Sequence, residues 1–190
     1  MKCHKCSSPD CYRKGKECSD LKELLKDLPE FEKRLLKVAS EIEKEFYCKL
    51  TRVEETVEFA KRMGFKKIGI AFCIGLFEEV KVLSKFFESR GFKVFSVACK
   101  VGAIDKTELN IEKLDPQQLE ASCNPVGQAK VLNKLGTDIN IIVGLCIGHD
   151  MLFQMYSEAP TTTLIVKDRV LAHNPVGALY SNYYKRRLTK

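Results

Sequence analysis

The stretch KKIGIAFCIG at residues 66–75 decides the fold class of this chain. Its apolar residues form a nearly continuous run of strand length, and the turn Cys73-Ile74-Gly75 follows at once. An amphipathic helix is predicted next over residues 76–90, closed by Gly91. A buried strand that leads directly into a helix is typical of a mostly parallel sheet wrapped by helices, which predicts an α/β fold.

The same design recurs further along the chain. Strands are also predicted over residues 92–98, 139–145 and 162–166. The third strand is followed by a second Cys-Ile-Gly turn, at 146–148, and by a short helix. Because this turn follows an apolar strand in both halves, the sequence indicates duplicated βαβ-like units within an α/β domain over residues 64–190.

Two further segments precede this domain. Residues 20–63 are predicted to be helical, with one helix beginning near Pro29 and another over residues 52–63 that starts with a capping box. Residues 1–19 contain four cysteines and almost no large apolar side chains, so they cannot bury a core of their own. This first segment is therefore predicted to be a cysteine-rich metal-binding knuckle.

The cysteines of the knuckle have the spacing Cys-x2-Cys-x4-Cys-x6-Cys. A Cys-x-x-Cys pair brings two sulfurs to one ion, and four thiolates complete a tetrahedral site. The spacing does not decide between zinc, which is the default, and an iron–sulfur cluster, which also takes four thiolates. The predicted ligands of this structural site are Cys3, Cys6, Cys11 and Cys18.

A second group of cysteines is predicted at one edge of the sheet. In a parallel sheet, the carboxyl ends of the strands and the amino ends of the following helices share one edge, where ligands bind. Cysteines follow three of the predicted strands, and another precedes a predicted helix, so an iron–sulfur cluster or another thiophilic metal is expected there. The predicted cofactor-binding residues are Cys73, Cys99, Cys123, Cys146, His173, Gly127 and Gly148. The predicted acid–base residues are His149 and Asp150.

A five-residue string occurs twice, as CNPVG at 123–127 and as HNPVG at 173–177. Asn is a preferred N-cap, Pro is favoured at the first helical position, and Gly leaves room for a ligand near the backbone. Both copies are therefore predicted to start helices, at Pro125 and Pro175, and to aim the positive helix ends at a bound group. One alternative is open for the second copy. A hairpin turn at 167–169 would carry His173 to the opposite edge of the sheet and leave Asp168 at the strand end.

The amino-acid composition favours some classes of protein over others. No apolar run among the 190 residues approaches 18, and the first residues form no apolar signal region, so a cytoplasmic protein without a membrane span is expected. Nine cysteines in such a chain favour metal ligands or reactive thiols over disulfides. The net charge of +7 is spread over helices that also carry Glu, which favours a solvated surface. The one basic run, at 185–190, leaves a nucleic-acid tail open as a disfavoured alternative.

Several strings resemble a family of uncharacterised, predicted metal-binding proteins found mostly in anaerobic bacteria and archaea. They are the cysteine-rich start, TRVEE at 51–55, KIGIAFCIGL at 67–76, CNP at 123–125, GLCIGHD at 144–150, KDRV at 167–170 and HNP at 173–175. The resemblance covers nearly the whole chain. It implies metal binding and says nothing about a reaction.

Three functions are open at this point. The first is an enzyme for redox or sulfur chemistry that uses a thiophilic metal at the sheet edge and acts on a small anionic substrate. The second is a non-catalytic sensor, carrier or store of metal ions. The third, ranked lower, is metal-free thiol chemistry through a transient disulfide. The sequence has neither G-x-G-x-x-G nor a P-loop, and it leaves the oligomeric state open.

Overall fold

The computed structural model describes residues 2–189. The chain divides between Tyr47 and Cys48 into two compact units. The predicted helical segment over residues 20–63 is therefore split, since its last helix lies in the second unit. Among the described residues, no helix has the length and apolar character needed to cross a membrane.

The first unit consists of short helical turns and one long helix. The cysteine-rich start contains the 3-10 turn Cys3–Lys5 and helix α1 (Asp10–Arg13). The leucine-rich stretch forms only a short 3-10 helix, Lys22–Leu25, and its leucines are exposed. Helix α2 (Glu30–Phe46) follows Pro29, which occupies the N-cap position. The buried face of α2 carries Val38 and Ile42.

Within residues 2–189, the second unit contains a four-stranded parallel sheet in the order β2-β1-β3-β4. The strands are β1 (Lys67–Phe72), β2 (Lys93–Ala98), β3 (Ile139–Val143) and β4 (Thr161–Ile165). The predicted α/β fold is confirmed. Strand β3 ends two residues earlier than predicted, because Gly144 adopts a left-handed conformation with φ of 65°.

Six α-helices lie in the second unit, within the part of the chain that the structure describes. They are α3 (Arg52–Met63), α4 (Phe77–Ser89), α5 (Pro125–Leu135), α6 (His149–Tyr156), α7 (Gly177–Tyr180) and α8 (Asn182–Leu188). Helix α3 begins with the predicted capping box of Thr51 and Glu54 and ends at Gly64. Helix α4 contacts β1 and β2, whereas α5 and α6 contact each other. Right-handed crossovers place α4 on one face of the sheet and α5 and α6 on the other.

The strand order reverses at the centre of the sheet. The unit β1-α4-β2 runs outward in one direction and the unit β3-α6-β4 runs outward in the other, so both predicted βαβ units are present. In open sheets of this kind, ligands bind in the crevice at the carboxyl ends of the two central strands. Cys73 directly follows β1, and Cys146 comes three residues after β3.

Candidate functional site

Backbone hydrogen bonds continue beyond the strand ends and bring three cysteines side by side. The Cys73 N–H donates to the Val143 carbonyl at 3.0 Å, and the Cys99 N–H donates to the Phe72 carbonyl at 2.8 Å. The Asn124 N–H in turn donates to the Cys99 carbonyl at 2.7 Å. The hydrogen-bonding pattern of the sheet thus continues by one residue beyond the strand ends. Cys73 and Cys99 lie in this extension, and Cys123 directly precedes Asn124, which also takes part in it.

The thiol of Cys99 is hydrogen-bonded to those of Cys73 and Cys123, and we call these three residues the sulfur cluster. Cys99 is its centre, with only 2% of its surface exposed. Hydrogen bonding from Cys99 lowers the pKa of Cys73 to about 4 and the pKa of Cys123 to about 5. Hydrogen bonding with Cys123 and Cys73, together with burial, raises the pKa of Cys99. The central thiol therefore keeps its proton while both neighbours are thiolates.

Among the described residues, three basic side chains lie against the cysteines of the sheet edge, each against a different one. The pairs are Lys100 Nζ with Cys123 Sγ at 3.4 Å, Lys167 with Cys73, and Arg169 Nη2 with Cys146 Sγ at 3.0 Å. The sequence analysis did not single out these cations. Two of them could have been found from the sequence by their positions at strand ends. Lys100 follows a strand-end cysteine, and Lys167 follows the end of β4 at the same edge.

Cys146 joins the sulfur cluster electrostatically through Arg169. The hydrogen bond and the electrostatic interaction with Cys146 raise the pKa of Arg169. The thiolates of Cys73 and Cys123 add smaller contributions. All four predicted cysteines therefore act on the same small region at the carboxyl edge. Cys146 is partly exposed, whereas Cys99 is buried.

His149 and Asp150 open helix α6, which begins at His149. His149 is one of the groups that lower the pKa of Cys123, so it lies at the same edge as the sulfur cluster. Asp150 Oδ1 accepts the Met151 N–H at 2.8 Å. Gly148 precedes the helix with φ of 84°, and a Cβ at this position would meet no atom within 4 Å. The turn therefore needs glycine for its conformation and leaves open space beside it.

The first NPVG string caps a helix as predicted, with Pro125 in the first turn of α5. Asn124 Oδ1 accepts the Gly127 N–H at 2.7 Å, and Asn124 Nδ2 donates to the Val101 carbonyl at 3.2 Å. The expected role of Gly127 needs correction. A Cβ there would lie 2.5 Å from Asn124 Nδ2, so the glycine makes room for the helix cap and not for a ligand.

The second NPVG string behaves differently, and the prediction of a helix start at Pro175 is wrong. Helix α7 begins only at Gly177, spans four residues and has no side-chain cap. The physical reason lies just before the string. Ala172 and His173 both have left-handed backbone conformations, with φ of 48° and 62°, and these turn the chain before Asn174.

His173 is held in the loop that follows β4. Its Nδ1 accepts the Asp168 N–H at 3.1 Å, and its own N–H donates to the Asp168 carbonyl at 2.9 Å. Asp168 Oδ1 also accepts the N–H groups of Val170 and Leu171. Residues 170–173 thus form turns around Asp168, and the returning hairpin strand considered from the sequence is not present among them.

In the first unit, the four cysteines of the knuckle are exposed. The Cys6 N–H donates to the Cys3 carbonyl at 3.1 Å, which closes the Cys-x-x-Cys turn. Residual desolvation, followed by the thiols of Cys11 and Cys6, raises the pKa of Cys18. Cys18 therefore interacts with both Cys11 and Cys6.

Comparison with known proteins places the chain in a family. The family model described as "Protein of unknown function (DUF1847)" matches residues 11–164. The chain belongs to this family. The curated "Uncharacterized protein MJ0455" of Methanocaldococcus jannaschii is 53% identical over 193 residues, which cover 99% of this chain and 98% of the relative.

The DUF1847 match divides the candidate residues. It includes all four cysteines of the sheet edge as well as Lys100, His149 and Asp150. It begins at Cys11, so Cys3 and Cys6 precede it, and it ends before Lys167 and Arg169. The sulfur cluster therefore lies wholly within the matched region, whereas half of the knuckle and two of the three cations lie outside it.

Within residues 2–189, no group of three or more His, Cys, Asp or Glu side chains is arranged as a finished metal site. Both cysteine groups are instead defined by their hydrogen bonds and charges. The sulfur cluster combines one protonated thiol with two thiolates, and its cationic surroundings stabilise the negative charge. Such an arrangement can bind soft electrophiles, including metal ions, or react as a nucleophile.

Proposed function

We propose that the sulfur cluster, together with Cys146, binds a thiophilic metal ion or an iron–sulfur cluster and supports redox or sulfur chemistry. One observation carries the proposal: at the carboxyl edge of the sheet, the thiol of Cys99 interacts with the thiols of Cys73 and Cys123, which come from two other chain segments. This edge also contains the reversal of strand order, where open parallel sheets bind their ligands.

The donor set fits such a group on chemical grounds. Thiolates are soft ligands that select zinc, copper(I) and iron–sulfur clusters. A divalent ion with four thiolates has a net charge of about −2. The nearby cations Lys100, Lys167 and Arg169 supply compensating positive charge. When bound, the metal group would supply electron transfer or a Lewis-acid position.

Other residues of the edge have roles in this proposal as well. His149 can give or take a proton, because it lies at the start of α6 within electrostatic reach of Cys123. Arg169 is exposed and can hold a small anionic substrate next to Cys146. Lys167 can stabilise negative charge that develops near Cys73.

For the first unit we propose a structural metal site formed by Cys3, Cys6, Cys11 and Cys18. The interactions of Cys18 with Cys11 and Cys6 support this role. Zinc and an iron–sulfur cluster both suit four thiolates. The site would stabilise a segment whose side chains are almost all exposed.

Metal-free thiol redox chemistry is a second candidate, and the proton distribution in the sulfur cluster favours it. A thiolate at Cys73 or Cys123 lies in contact with the Cys99 thiol. Formation of a disulfide between them would release one proton and two electrons. A disulfide-containing acceptor would take up these two electrons and the proton, and would be reduced to one thiol and one thiolate.

Anaerobic purification followed by metal analysis tests the proposal. We expect the wild-type protein to contain metal at both cysteine groups, and Cys99→Ser to lose the metal of the sheet edge. Cys48→Ser is the matched control, because Cys48 is exposed and belongs to neither group. Unchanged metal content in Cys99→Ser would overturn the proposal. Metal-free protein that forms a disulfide at Cys99 under mild oxidation would establish the second candidate instead.

A further inference from the structure

Gln128 is a buried amide that reaches the strand ends from which the sulfur cluster emerges. Its side chain is completely buried, with 0% of its surface exposed. Its Nε2 donates to the Phe72 carbonyl at 3.2 Å and to the Val97 carbonyl at 2.6 Å. Phe72 is the last residue of β1 and immediately precedes Cys73. Val97 is the penultimate residue of β2, two positions before Cys99.

The backbone of Gln128 connects the same amide to the third cysteine. Gln128 lies in the first turn of α5, and its N–H donates to the Asn124 carbonyl at 3.0 Å. Asn124 follows Cys123 directly and donates its own N–H to the Cys99 carbonyl at 2.7 Å. One residue therefore joins the three chain segments that deliver the three sulfurs.

The chemistry of Gln128 is unusual for a core position. Its Oε1 is buried and has no hydrogen-bond partner within the part of the chain that the structure describes. An unpartnered buried carbonyl is destabilising, and an apolar residue of similar size would avoid that cost. The benefit must therefore come from the Nε2 group, whose two N–H bonds hold carbonyls at the ends of two neighbouring strands at a defined separation.

We propose that Gln128 is the positioning residue of the sulfur cluster. It fixes the separation of the β1 and β2 ends, and through α5 it fixes Cys123 against them. It acts through the backbone and does not contact the bound group itself. This inference rests on the proposed function in one respect: it requires the three sulfurs to act as a single binding site.

Arsenite is a suitable probe, because arsenous acid exchanges its three hydroxyl groups for three thiols, releases three water molecules and changes no oxidation state. It therefore binds tightly only where three sulfurs are correctly placed. We expect Gln128→Met, which keeps the size of the side chain but removes the amide, to weaken arsenite binding at the sheet edge about 10- to 100-fold, as is typical for loss of a supporting hydrogen bond. Protection of Cys73, Cys99 and Cys123 from alkylation, read by peptide mass spectrometry, separates this site from the knuckle.

Asn140→Leu is the matched control. Asn140 is another fully buried amide and lies on β3, but its side chain bonds to Thr137 and Ser157, away from the cysteines. We expect this variant to lose stability while it keeps the arsenite affinity of the wild-type protein. The shorter Gln128→Asn, which cannot span the same distance, is expected to weaken arsenite binding as Gln128→Met does.

A measurement on the wild-type protein covers the case in which the variants fail to fold. The Gln128 side-chain amide signal in a 15N NMR spectrum is expected to shift when arsenite binds, and an unchanged signal would contradict the positioning role. Normal arsenite binding by a folded Gln128→Met variant would overturn this inference alone. A wild-type protein that binds no arsenite at the sheet edge would overturn both the inference and the proposed metal site.

Discussion

At the scale of single residues, the charge of the site depends on where one proton resides. Cys99 is buried, and its thiol can form a hydrogen bond to the sulfur of either neighbour. This lowers the pKa of Cys73 and of Cys123, so both are thiolates at neutral pH. The lysines at 100 and 167 add smaller contributions in the same direction. The Cys99 hydrogen bond is the largest single cause of both lowered pKa values, which makes it the appropriate target for a test.

We expect Cys73 and Cys123 to react faster with iodoacetamide in the native, metal-free protein than in the urea-unfolded protein at pH 6. An unfolded thiol is only about 0.3% ionised at this pH. Because a low pKa also weakens the nucleophile, the net gain is about 2- to 10-fold. Mass spectrometry of the alkylated peptides measures the rates. Native rates no faster than the unfolded rates would contradict the assigned thiolates.

Two variants at Cys99 separate hydrogen bonding from packing. Cys99→Ser keeps a donor, so the pKa of Cys73 is expected to stay low, whereas Cys99→Ala removes the donor and should raise that pKa. The midpoint of the pH profile of alkylation measures the difference. Equal midpoints in the two variants would show that the donor is not the cause.

The same lowered pKa values make stability depend on pH in the metal-free protein. Since the folded pKa of Cys73 and of Cys123 lies below the value of about 8.5 in an unfolded chain, ionisation stabilises the folded state. This contribution is fully present above about pH 9. It is lost progressively as the pH falls through the folded values of about 5 and about 4. Urea unfolding of wild type and Cys73→Ser should therefore differ most at pH 9 and converge near pH 4. A difference that grows as the pH falls would contradict the assignment.

At the scale of secondary-structure elements, the start of α5 illustrates how one string can have two outcomes. The side chain of Asn124 caps the helix and fills the space over Gly127. In the second copy, a Cβ at Gly177 would meet only Leu171 Cδ1 at 3.7 Å, an ordinary contact. The two glycines thus differ in what surrounds them, although their sequence contexts are nearly identical.

We expect Gly127→Val to displace the Asn124 cap and to cost about 1 kcal/mol or more of stability in the metal-free protein. Gly177→Val is the matched control and should leave the melting temperature nearly unchanged. Thermal unfolding followed by circular dichroism measures both. Equal melting temperatures for the two variants would show that the space over Gly127 is not needed for the cap.

The ends of β1 and β2 and the starts of α3 and α5 could be predicted from the sequence. Apolar runs that break at Cys73 or after Ala98, and a capping box at Thr51, depend on local chemistry that the chain itself displays. The path of the chain after β4 could not be predicted from the sequence in this way. It depends on left-handed conformations at Ala172 and His173, which are uncommon for residues other than glycine. The pairing of Lys167 and Arg169 with cysteines is a long-range contact, and a single sequence contains no periodic signal for it.

At the scale of the whole molecule, the two units differ in how they are stabilised. The second unit has a continuous core around β1 and β3, in which Ile70 and Ile141 are completely buried. Among the described residues before Cys48, the buried apolar side chains are Val38 and Ile42. A segment with so small a core needs another source of stability, and a metal site at its cysteines would provide one.

Loss of metal should therefore affect the two units separately. In Cys6→Ser we expect faster hydrogen exchange in residues 2–26, because the 3-10 turn and α1 have no buried residues to hold them in place. The amides of β1 and β3 should stay protected, since the core that covers them contains no knuckle residue. Hydrogen-exchange mass spectrometry on wild type, Cys6→Ser and Cys48→Ser measures both regions. Faster exchange in β1 and β3 of Cys6→Ser would mean that the two units unfold together. Unchanged exchange in residues 2–26 would mean that no metal stabilises the knuckle.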